Sequence, residues 1–476
     1  MDSRNILNYF LNPDRFGDDI ELLKKNIDFI VKPPLKRLIS QDIIRGYPNI
    51  PPQPSREIIR YEELSRFGLK NPYSYIYIDE VVSMMPRELY DKLMLDGWVD
   101  EHDYFEENLQ KLWRRYLDRE RNFYPEDHIK RTILLCIPSN KQFKAVYGDW
   151  GGWVWRPRTL NGQETPNEDG WIEDIIRIVD ILNGEGIRCI VFYDDAISDV
   201  NRRTLYDSID THGNKLIEID IEPDLAKIGY TRDQSITFMD TPIICNMALP
   251  IRRGEEKVII DVYHIIGNKP IFRPRWAPFE GYLELSKVEG GNFFPIETDK
   301  GKWILTGVGV RGTNEAGLHY IRELLPSDVK LIGIPLSGYI RRWSETGAVH
   351  LDTVLTYLGE LNGCYHALID PMRLGFYSAF EYSSNGIKIV SIPELFKEMG
   401  VYIDEIPHEK ASRITMANAL NLGKGKILVD RYNHIVNDYI RREYGVDVIE
   451  VDIPHIEAGG GGVRCATREL WGIQNI

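Results

Sequence analysis

Cysteine is scarce in this chain, and acidic residues outnumber basic ones. Five cysteines, at positions 136, 189, 245, 364 and 465, are scattered over 476 residues and form no CxxC pair. This pattern is typical of a reducing compartment and argues against a disulfide framework. The chain has 58 lysines and arginines against 72 aspartates and glutamates, a formal net charge of −14. Such a charge disfavours a nucleic-acid partner held by bulk electrostatics.

Long apolar runs are also lacking. Because no run of about 18 or more apolar residues occurs, we expect no transmembrane helix and no membrane partner. The first residues, Met1–Asn5, lead into a polar segment and not into a signal peptide, so we expect a cytoplasmic protein. Cys364 and His366 lie in an apolar strand-like run, where core packing is favoured over metal binding. We therefore predict neither a metal nor a cofactor.

Residues 1–130 differ in pattern from the rest and are predicted to form a mainly helical N-terminal accessory segment. Proline-rich joints occur at 32–35 and 51–54, and apolar residues spaced by three and four predict a helix from Tyr104 to Asn122. We find no residues in this segment that suggest chemistry. The segment is expected to pack on the main domain or on a partner.

Residues 131–476 alternate between predicted strands and helices. A strand, a helix and a second strand are predicted within 133–192, and the same order recurs within 302–334 and 426–451. Recurrence of one unit favours a closed array of similar α/β modules. An ordinary sheet of βαβ units would give the same periodicity.

A run of four glycines, Gly459 to Gly462, leads to Cys465 eleven residues before the C-terminus. Glycine can take positive-φ conformations and lets the backbone pass close to other groups. Such a loop could present a thiol into a cavity, or it could be a flexible tail that happens to contain a cysteine. The residues upstream favour the first interpretation.

Three carboxylates and a histidine lie in short segments between the predicted strands. Asp233 opens an apolar run and Glu289 precedes two glycines, which alone would suit a capping carboxylate and a turn. His350 and Asp352 flank Leu351, so in a strand both would lie on one face. A buried face carrying both side chains costs free energy unless they are paired or used.

Together these residue types predict attack by a thiolate on a cationic, planar substrate. A cysteine nucleophile needs a nearby cation or base, and a histidine can protonate a leaving group and then activate water. Carboxylates would repel the oxyanion that develops from an ester or an amide. A guanidinium instead presents N–H donors that carboxylates match in bidentate geometry, and its charge would help to hold the thiolate.

At these residues the sequence resembles the guanidino-group-modifying enzymes, the pentein superfamily, which includes arginine deiminases, dimethylarginine dimethylaminohydrolases and amidinotransferases. The resemblance covers roughly 131–476, with five motifs in the family's order. His350–Val354 looks most like arginine deiminases, Glu289–Asn292 is similar to the hydrolases, and Arg311–Asn314 is similar to the dimethylarginine hydrolases. Lys227 and Arg464 depart from the family pattern, since relatives carry asparagine and often histidine there.

The resemblance implies a five-bladed α/β propeller built of repeated ββαβ-type modules. It also implies that Cys465 is the nucleophile and that His350 is the general acid and base. Glu289 would contact both the guanidinium and His350, and two aspartates would hold the guanidinium nitrogens, namely Asp233 and Asp352.

Two arginines follow the carboxylate segments at places where arginine deiminases bind the substrate carboxylate. These residues are Arg252 and Arg311, and the resemblance implies the same role for both. The alternative is that one or both pair with surface acids such as Glu255, Glu256 or Glu315. The first interpretation predicts a small cationic guanidino substrate that carries a carboxylate.

The activity implied by the resemblance is hydrolysis of a guanidino compound, of the arginine deiminase type, from L-arginine to citrulline and ammonia. A covalent thiouronium on the cysteine would be the intermediate. An amidinotransferase would resolve the same intermediate with an amine, and a third alternative is a pentein that only binds. Relatives are often dimers or larger, so the resemblance is compatible with a homo-oligomer. The sequence itself predicts no interface.

Overall fold

The computed structural model describes residues 122–143, 166–211, 213–223, 225, 227–248, 252, 254–268, 270, 276–279, 282–285, 287–308, 313–336, 348–370, 373–374, 378–383, 386–406 and 417–471. Most of the predicted accessory segment, its predicted helix up to residue 121, and Arg311 lie outside the described residues. The description that follows concerns the α/β part of the chain.

The strands and helices are numbered separately in chain order. The strands are β1 Thr132–Ile137, β2 Arg188–Asp194, β3 Lys215–Ile219, β4 Ser235–Ile236, β5 Ile243–Ile244, β6 Trp276–Phe279, β7 Tyr282–Leu285, β8 Phe293–Thr298, β9 Gly301–Val308, β10 Val329–Pro335, β11 Leu355–Leu361, β12 Cys364–Ile369, β13 Ser378–Ser383, β14 Gly386–Ser391, β15 Val401–Glu405, β16 Leu420–Gly423, β17 Lys426–Asp430, β18 Asp447–Val451 and β19 Arg468–Glu469. The helices are α1 Asn140–Phe143, α2 Glu168–Gly184, α3 Asp199–Ile209, α4 Glu255–Ile265, α5 Glu315–Leu324, α6 Ile392–Met399, α7 His434–Tyr444 and α8 Pro454–Ala458.

One unit recurs along the chain: an antiparallel strand pair, a helix, and a third strand parallel to the second. It is formed by β8, β9, α5 and β10, again by β11, β12, α6 and β15, and again by β16, β17, α7 and β18. In the middle unit the β13–β14 hairpin is inserted before the helix and extends the preceding sheet through β10. The predicted recurrence of one α/β module, with strands and helices at 302–334 and 426–451, is confirmed.

Two further groups of elements are related to this unit. In one of them the antiparallel pair β4 and β5 precedes α4, and the described residues contain no third strand that pairs with either. In the other, α1 and α2 lie between the parallel strands β1 and β2, but the antiparallel partner of β1 is β19 from the end of the chain. Ile133 lies opposite Glu469 and Leu134 opposite Arg468. The last strand thus completes the first module, and the described residues form a mixed α/β fold of repeated modules, as the resemblance implies.

Helix α2 shows how local sequence builds these modules. The Asn167 side chain caps its N-terminus by accepting from the Gly170 N–H, and apolar residues recur at three- and four-residue spacing on one face. That face packs on the first sheet, and each fully buried large side chain there contributes about 1.5–3 kcal/mol. Trp171 anchors it by donating from Nε1 to the Cys136 carbonyl (3.1 Å).

The core under this helix extends to the C-terminal loop. Val463 and Cys465 belong to the same cluster of buried side chains as Trp171 and Tyr230. The flexible-tail alternative for the cysteine is therefore wrong, because burial in a shared core fixes the loop. Among the described residues, the helices are too short or too polar to span a bilayer.

Candidate active site

The glycine run before Cys465 lies tightly against neighbouring side chains. A Cβ at Gly461 would lie 2.2 Å from the Tyr230 ring, and one at Gly462 would lie 2.6 Å from the Asn418 amide oxygen. Neither glycine has a positive φ; within the run that conformation occurs at Gly460 (φ 97°). Close approach of the backbone therefore accounts for the last two glycines, and conformational freedom accounts for Gly460.

Cys465 is 5% exposed, and its sulfur contacts two polar groups. Asn418 Nδ2 lies 3.0 Å from Sγ, and Asp352 Oδ2 lies 3.5 Å from it. Burial raises the pKa of the thiol well above its usual value, and the negative charges of Asp352 and Asp233 raise it further. Hydrogen bonds from the Gly462 backbone and from Asn418 act in the opposite direction. The thiol of the free protein is therefore neutral near pH 7.

The prediction that His350, Leu351 and Asp352 form a strand is wrong. His350 is extended, but Leu351–Thr353 form a 3₁₀ turn that begins directly after it. The turn is held by the Thr353 N–H, which donates to the His350 carbonyl (3.2 Å), and by the Leu351 N–H, which donates to Asn292 Oδ1 (3.0 Å). Leu351 is buried in the core and both polar side chains are buried as well.

The His350 ring lies between two carboxylates. Its Nε2 is 2.5 Å from Glu289 Oε2, and its Nδ1 is 3.5 Å from Asp233 Oδ1. Burial alone would lower the pKa of His350, but the charge of Asp233 and the hydrogen bond to Glu289 outweigh it and raise the pKa to about 9. The imidazole is therefore held as a cation at neutral pH, with a proton available for a leaving group.

The Glu-Gly-Gly segment brings Glu289 and Asp233 together. The Gly290 N–H donates to the Asp233 carbonyl (2.9 Å), and the Gly291 N–H donates to Asp233 Oδ1 (3.2 Å). A Cβ at Gly291 would lie 2.7 Å from that oxygen and 3.0 Å from His350 Nδ1, so only glycine fits. Glu289 Oε1 accepts from the Ala248 N–H (2.9 Å), which leaves Oε2 directed at the histidine.

Arg252 lies beside Asp233, and its guanidinium is engaged by two carboxylates. Nη1 donates to Asp233 Oδ2 (2.7 Å), while Nε and Nη2 donate to Glu255 at 3.0 and 2.8 Å. The pairing with Glu255 was the alternative drawn from the sequence, although this acid is buried and not on the surface. Burial would raise the pKa of Asp233, yet His350 and Arg252 lower it below its usual value. His350 and Arg252 together thus favour the ionised form of Asp233.

Arg464, noted in the sequence only as a departure from relatives, is fully buried next to the cysteine. Its guanidinium donates to Glu126 at 2.9 and 3.1 Å, to Asp352 Oδ2 at 3.3 Å and to the Phe293 carbonyl at 2.9 Å. Within the described part of the chain, the other oxygen of Asp352, Oδ1, is buried and has no hydrogen-bond partner. Asp352 therefore presents one free acceptor beside the thiol.

Sequence reasoning missed two side chains of this site, Glu126 and Asn418. Glu126 stands in the segment predicted to be accessory, far along the chain from the other site residues. Asn418 precedes β16 with no motif that marks it. Neither could be found from local pattern, because each acts only through contacts with residues distant in sequence.

A second group of acids lies apart from this site. Carboxylate oxygens of Asp194, Asp195 and Asp220 lie within 4.8 Å of one another. The Lys141 ammonium is 3.2, 3.7 and 3.2 Å from the three carboxylates, so it already balances their charge. This group is best described as an ion-pair network on the first module.

The comparison with known sequences identifies the class. A family model for arginine deiminase matches residues 198–471, more than half of the chain. The chain therefore belongs to the arginine deiminase family, within the pentein superfamily. The matched residues include the candidate nucleophile, the histidine and the three carboxylates.

Individual relatives are distant. The uncharacterized protein YkgA of Bacillus subtilis is 24% identical over 268 residues, which are 56% of this chain and 77% of that protein. The arginine deiminase of Listeria innocua is 28% identical over 263 residues, 52% of this chain and 62% of the relative. The chain thus spans about three fifths of the Listeria enzyme.

Two solved structures are similar over most of the present chain. A dimethylarginine dimethylaminohydrolase from Pseudomonas aeruginosa complexed with citrulline has a TM-score of 0.44 and 16% identity, covering 72% of this chain and all of the other. SxtG, an amidinotransferase from Microseira wollei, has a TM-score of 0.46 and 14% identity, covering 74% and 98%. Membership of the family rests on the sequence match.

Proposed function

We propose that this protein hydrolyses a guanidino compound, of the arginine deiminase type, with Cys465 as the nucleophile. The observation that carries the proposal is the unpartnered Asp352 Oδ1, on a carboxylate whose other oxygen is 3.5 Å from the sulfur. A buried acceptor without a donor is costly in the free protein. A guanidinium N–H would supply the missing donor at the point where the thiol could reach its carbon.

The charge of the substrate would counteract the raised pKa of the thiol. Two carboxylates near the sulfur oppose ionisation, as described above, and the arginine beside it is already paired. A bound guanidinium would bring a positive charge to the same place, favour loss of the thiol proton to solvent, and so activate the nucleophile. Ionisation would then be coupled to substrate binding.

The first half of the reaction would use His350 as an acid. The thiolate of Cys465 forms a bond to the guanidinium carbon, and the protonated imidazole gives its proton to the departing nitrogen, which leaves as ammonia. The carbon stays bound to sulfur as a thiouronium cation. A histidine whose pKa is raised to about 9 carries the required proton at neutral pH.

The second half would use the same ring as a base. Neutral His350, held by Glu289, takes a proton from water as the water oxygen bonds to the thiouronium carbon. Collapse of the adduct breaks the carbon–sulfur bond and returns the electron pair to sulfur. The remaining proton of the adduct's hydroxyl passes to that sulfur, which regenerates the thiol and releases the neutral ureido product. Asp233 and Asp352 would hold the nitrogens throughout, because charge-assisted hydrogen bonds to a planar cation fix its orientation.

The extent of the catalytic unit is also part of the proposal. Residues 122–130 contact the α/β part: the Tyr124 N–H donates to the Phe238 carbonyl, and the Glu126 N–H donates to that of Pro295. We therefore place residues 122–130 with the catalytic domain and keep residues 1–121 as the candidate accessory segment.

Product analysis tests the function. The purified chain is incubated with L-arginine, agmatine and dimethylarginine, each with and without an added amine, and the products are identified by mass spectrometry. We expect a ureido product and ammonia from a carboxylate-bearing guanidine without any amine. Product formation that depends on the amine would indicate an amidinotransferase, and binding with neither product nor covalent adduct would indicate a binding protein.

A further inference from the structure

The Asn418 side chain is buried beside the cysteine, and its orientation is fixed by its partners. Its Oδ1 faces two backbone N–H groups, of Arg464 (2.9 Å) and of Cys465 (3.2 Å). A backbone N–H can only donate, so this end of the amide must be the oxygen. The NH₂ end therefore points away from both groups.

Both hydrogens of that NH₂ group have acceptors. Nδ2 donates to the Asp352 carbonyl oxygen (3.2 Å) and lies 3.0 Å from the sulfur of Cys465. Since an amide nitrogen cannot accept, the sulfur must be the acceptor of this contact. One side chain thus links the backbone of the cysteine, the backbone of Asp352 and the sulfur itself.

The other groups around the sulfur of Cys465 provide no comparable stabilisation of a negative charge on it. The acidic group nearest the sulfur, Asp352 Oδ2, disfavours a negative charge on it. The adjacent Arg464 cation is directed at Glu126 and at Asp352, so its charge is balanced by carboxylates. Asn418 supplies a neutral donor in a place where a cation would compete with a cationic substrate.

We infer that Asn418 is a further catalytic residue, which stabilises the thiolate of Cys465 by donating a hydrogen bond from Nδ2 to Sγ. The inference rests on the proposed role of Cys465 as nucleophile. It goes beyond positioning, because the amide touches the reacting atom. The thiolate is the stronger acceptor, so the bond favours the ionised nucleophile and the leaving thiolate at the end of the second half-reaction.

The test is the rate at which iodoacetamide alkylates Cys465, followed by mass spectrometry of its peptide across pH. Iodoacetamide is neutral, so the rate below the thiol pKa reports the thiolate fraction without help from substrate charge. Asn418→Ala should lower this rate about tenfold or more, the effect expected for a hydrogen bond to a charged group. The ultraviolet absorbance of the thiolate, compared with that of Cys465→Ser, gives the same quantity independently.

Asn421→Ala is the matched control. Asn421 is also buried and lies three residues further along, in β16, but its amide donates to the Tyr357 carbonyl and accepts from the Gly423 N–H. This variant should alkylate at the wild-type rate. A second variant, Asn418→Asp, keeps the shape and both acceptor contacts while it removes the donor, and it should react more slowly still. If Asn418→Ala does not fold, the alkylation rate of Asn418→Asp tests the inference in its place.

Two results would overturn the inference. The first is wild-type alkylation and thiolate absorbance in both Asn418 variants. The second is a loss of turnover with unchanged alkylation, which would mean that Asn418 only holds the loop. A merely steric role predicts faster alkylation of Asn418→Ala, because the truncation opens space around the sulfur. Failure of the proposed function is separate, and would appear as turnover by Cys465→Ala.

Discussion

Glu126 and Arg464 form a bidentate, fully desolvated ion pair between positions 338 residues apart, with Nε–Oε1 and Nη2–Oε2 distances of 2.9 and 3.1 Å. The same guanidinium reaches Asp352, and its Cζ lies 3.9 Å from the Phe294 ring centre. Arg464 precedes Cys465 directly. The pair therefore fixes both the nucleophile loop and one of the candidate substrate carboxylates from a segment near the N-terminal end of the described chain.

Breaking this pair should destabilise the fold. Glu126→Gln keeps the shape but leaves Arg464 short of a buried counter-charge, so we expect the free energy of unfolding to fall by about 3 kcal/mol. Urea denaturation measures it. Glu173→Gln is the control, because Glu173 pairs with Arg177 on the surface and its loss should cost less than about 1 kcal/mol. An equal loss of unfolding free energy in Glu126→Gln and Glu173→Gln would contradict the proposed importance of burial.

Replacing Cys465, the proposed nucleophile, should abolish turnover. Cys465→Ala and Cys465→Ser are expected to lose essentially all activity while remaining folded, and a quenched wild-type reaction should show an adduct on the Cys465 peptide. Cys364→Ala is the control, since this cysteine is only half-buried in β12 and is not one of the site residues. Full activity of Cys465→Ala would end the assignment.

His350 and Glu289 should behave as one functional unit, because their side chains are 2.5 Å apart. His350→Ala and Glu289→Gln are each expected to lower kcat by several orders of magnitude. The double variant should be little worse than either single variant, since residues that act together are not additive. Steady-state measurement of kcat for the three variants tests this non-additivity. If the fold-loss in kcat of the double variant equals the product of the two single fold-losses, the two residues act independently.

The raised pKa of His350 predicts a pH-dependent contribution to stability. A group whose folded pKa is about 9, above an ordinary value of 6.5, binds its proton more tightly when folded. Its stabilisation, on the order of 3 kcal/mol, is fully present below about pH 6.5 and is lost as the pH rises through about 9. Unfolding free energies measured across this range should therefore fall in the wild type and stay nearly level in His350→Gln. Parallel curves would contradict the raised pKa.

The two arginines should differ in their effect on substrates. If Arg311 binds a substrate carboxylate, Arg311→Ala should raise KM for L-arginine more than tenfold, about 1.4 kcal/mol or more, and change little for agmatine. Arg252→Ala should instead impair both substrates, because Arg252 holds Asp233 at 2.7 Å. Steady-state KM values for both substrates test this. Better turnover of agmatine than of arginine by the wild type would overturn the carboxylate assignment.

Much of the candidate site could be predicted from the sequence because its chemistry is carried by residue types in short segments. Glu289 with its two glycines, the His350 to Asp352 segment and the glycine run before Cys465 each stand out locally. The recurring strand and helix order could be predicted for the same reason, since periodicity of apolar residues is a local property.

Only the tertiary structure determined which of these segments contact one another and through which side chains. The turn at Leu351–Thr353 replaced the expected strand, because Asn292 from another module holds its backbone. Asn418 and Glu126 entered the site through contacts with the cysteine loop, and Arg252 was directed toward Asp233 and Glu255. These outcomes depend on which modules become neighbours when β19 pairs with β1. Local sequence fixes the residue types and their spacing, whereas partners distant along the chain are selected only by folding.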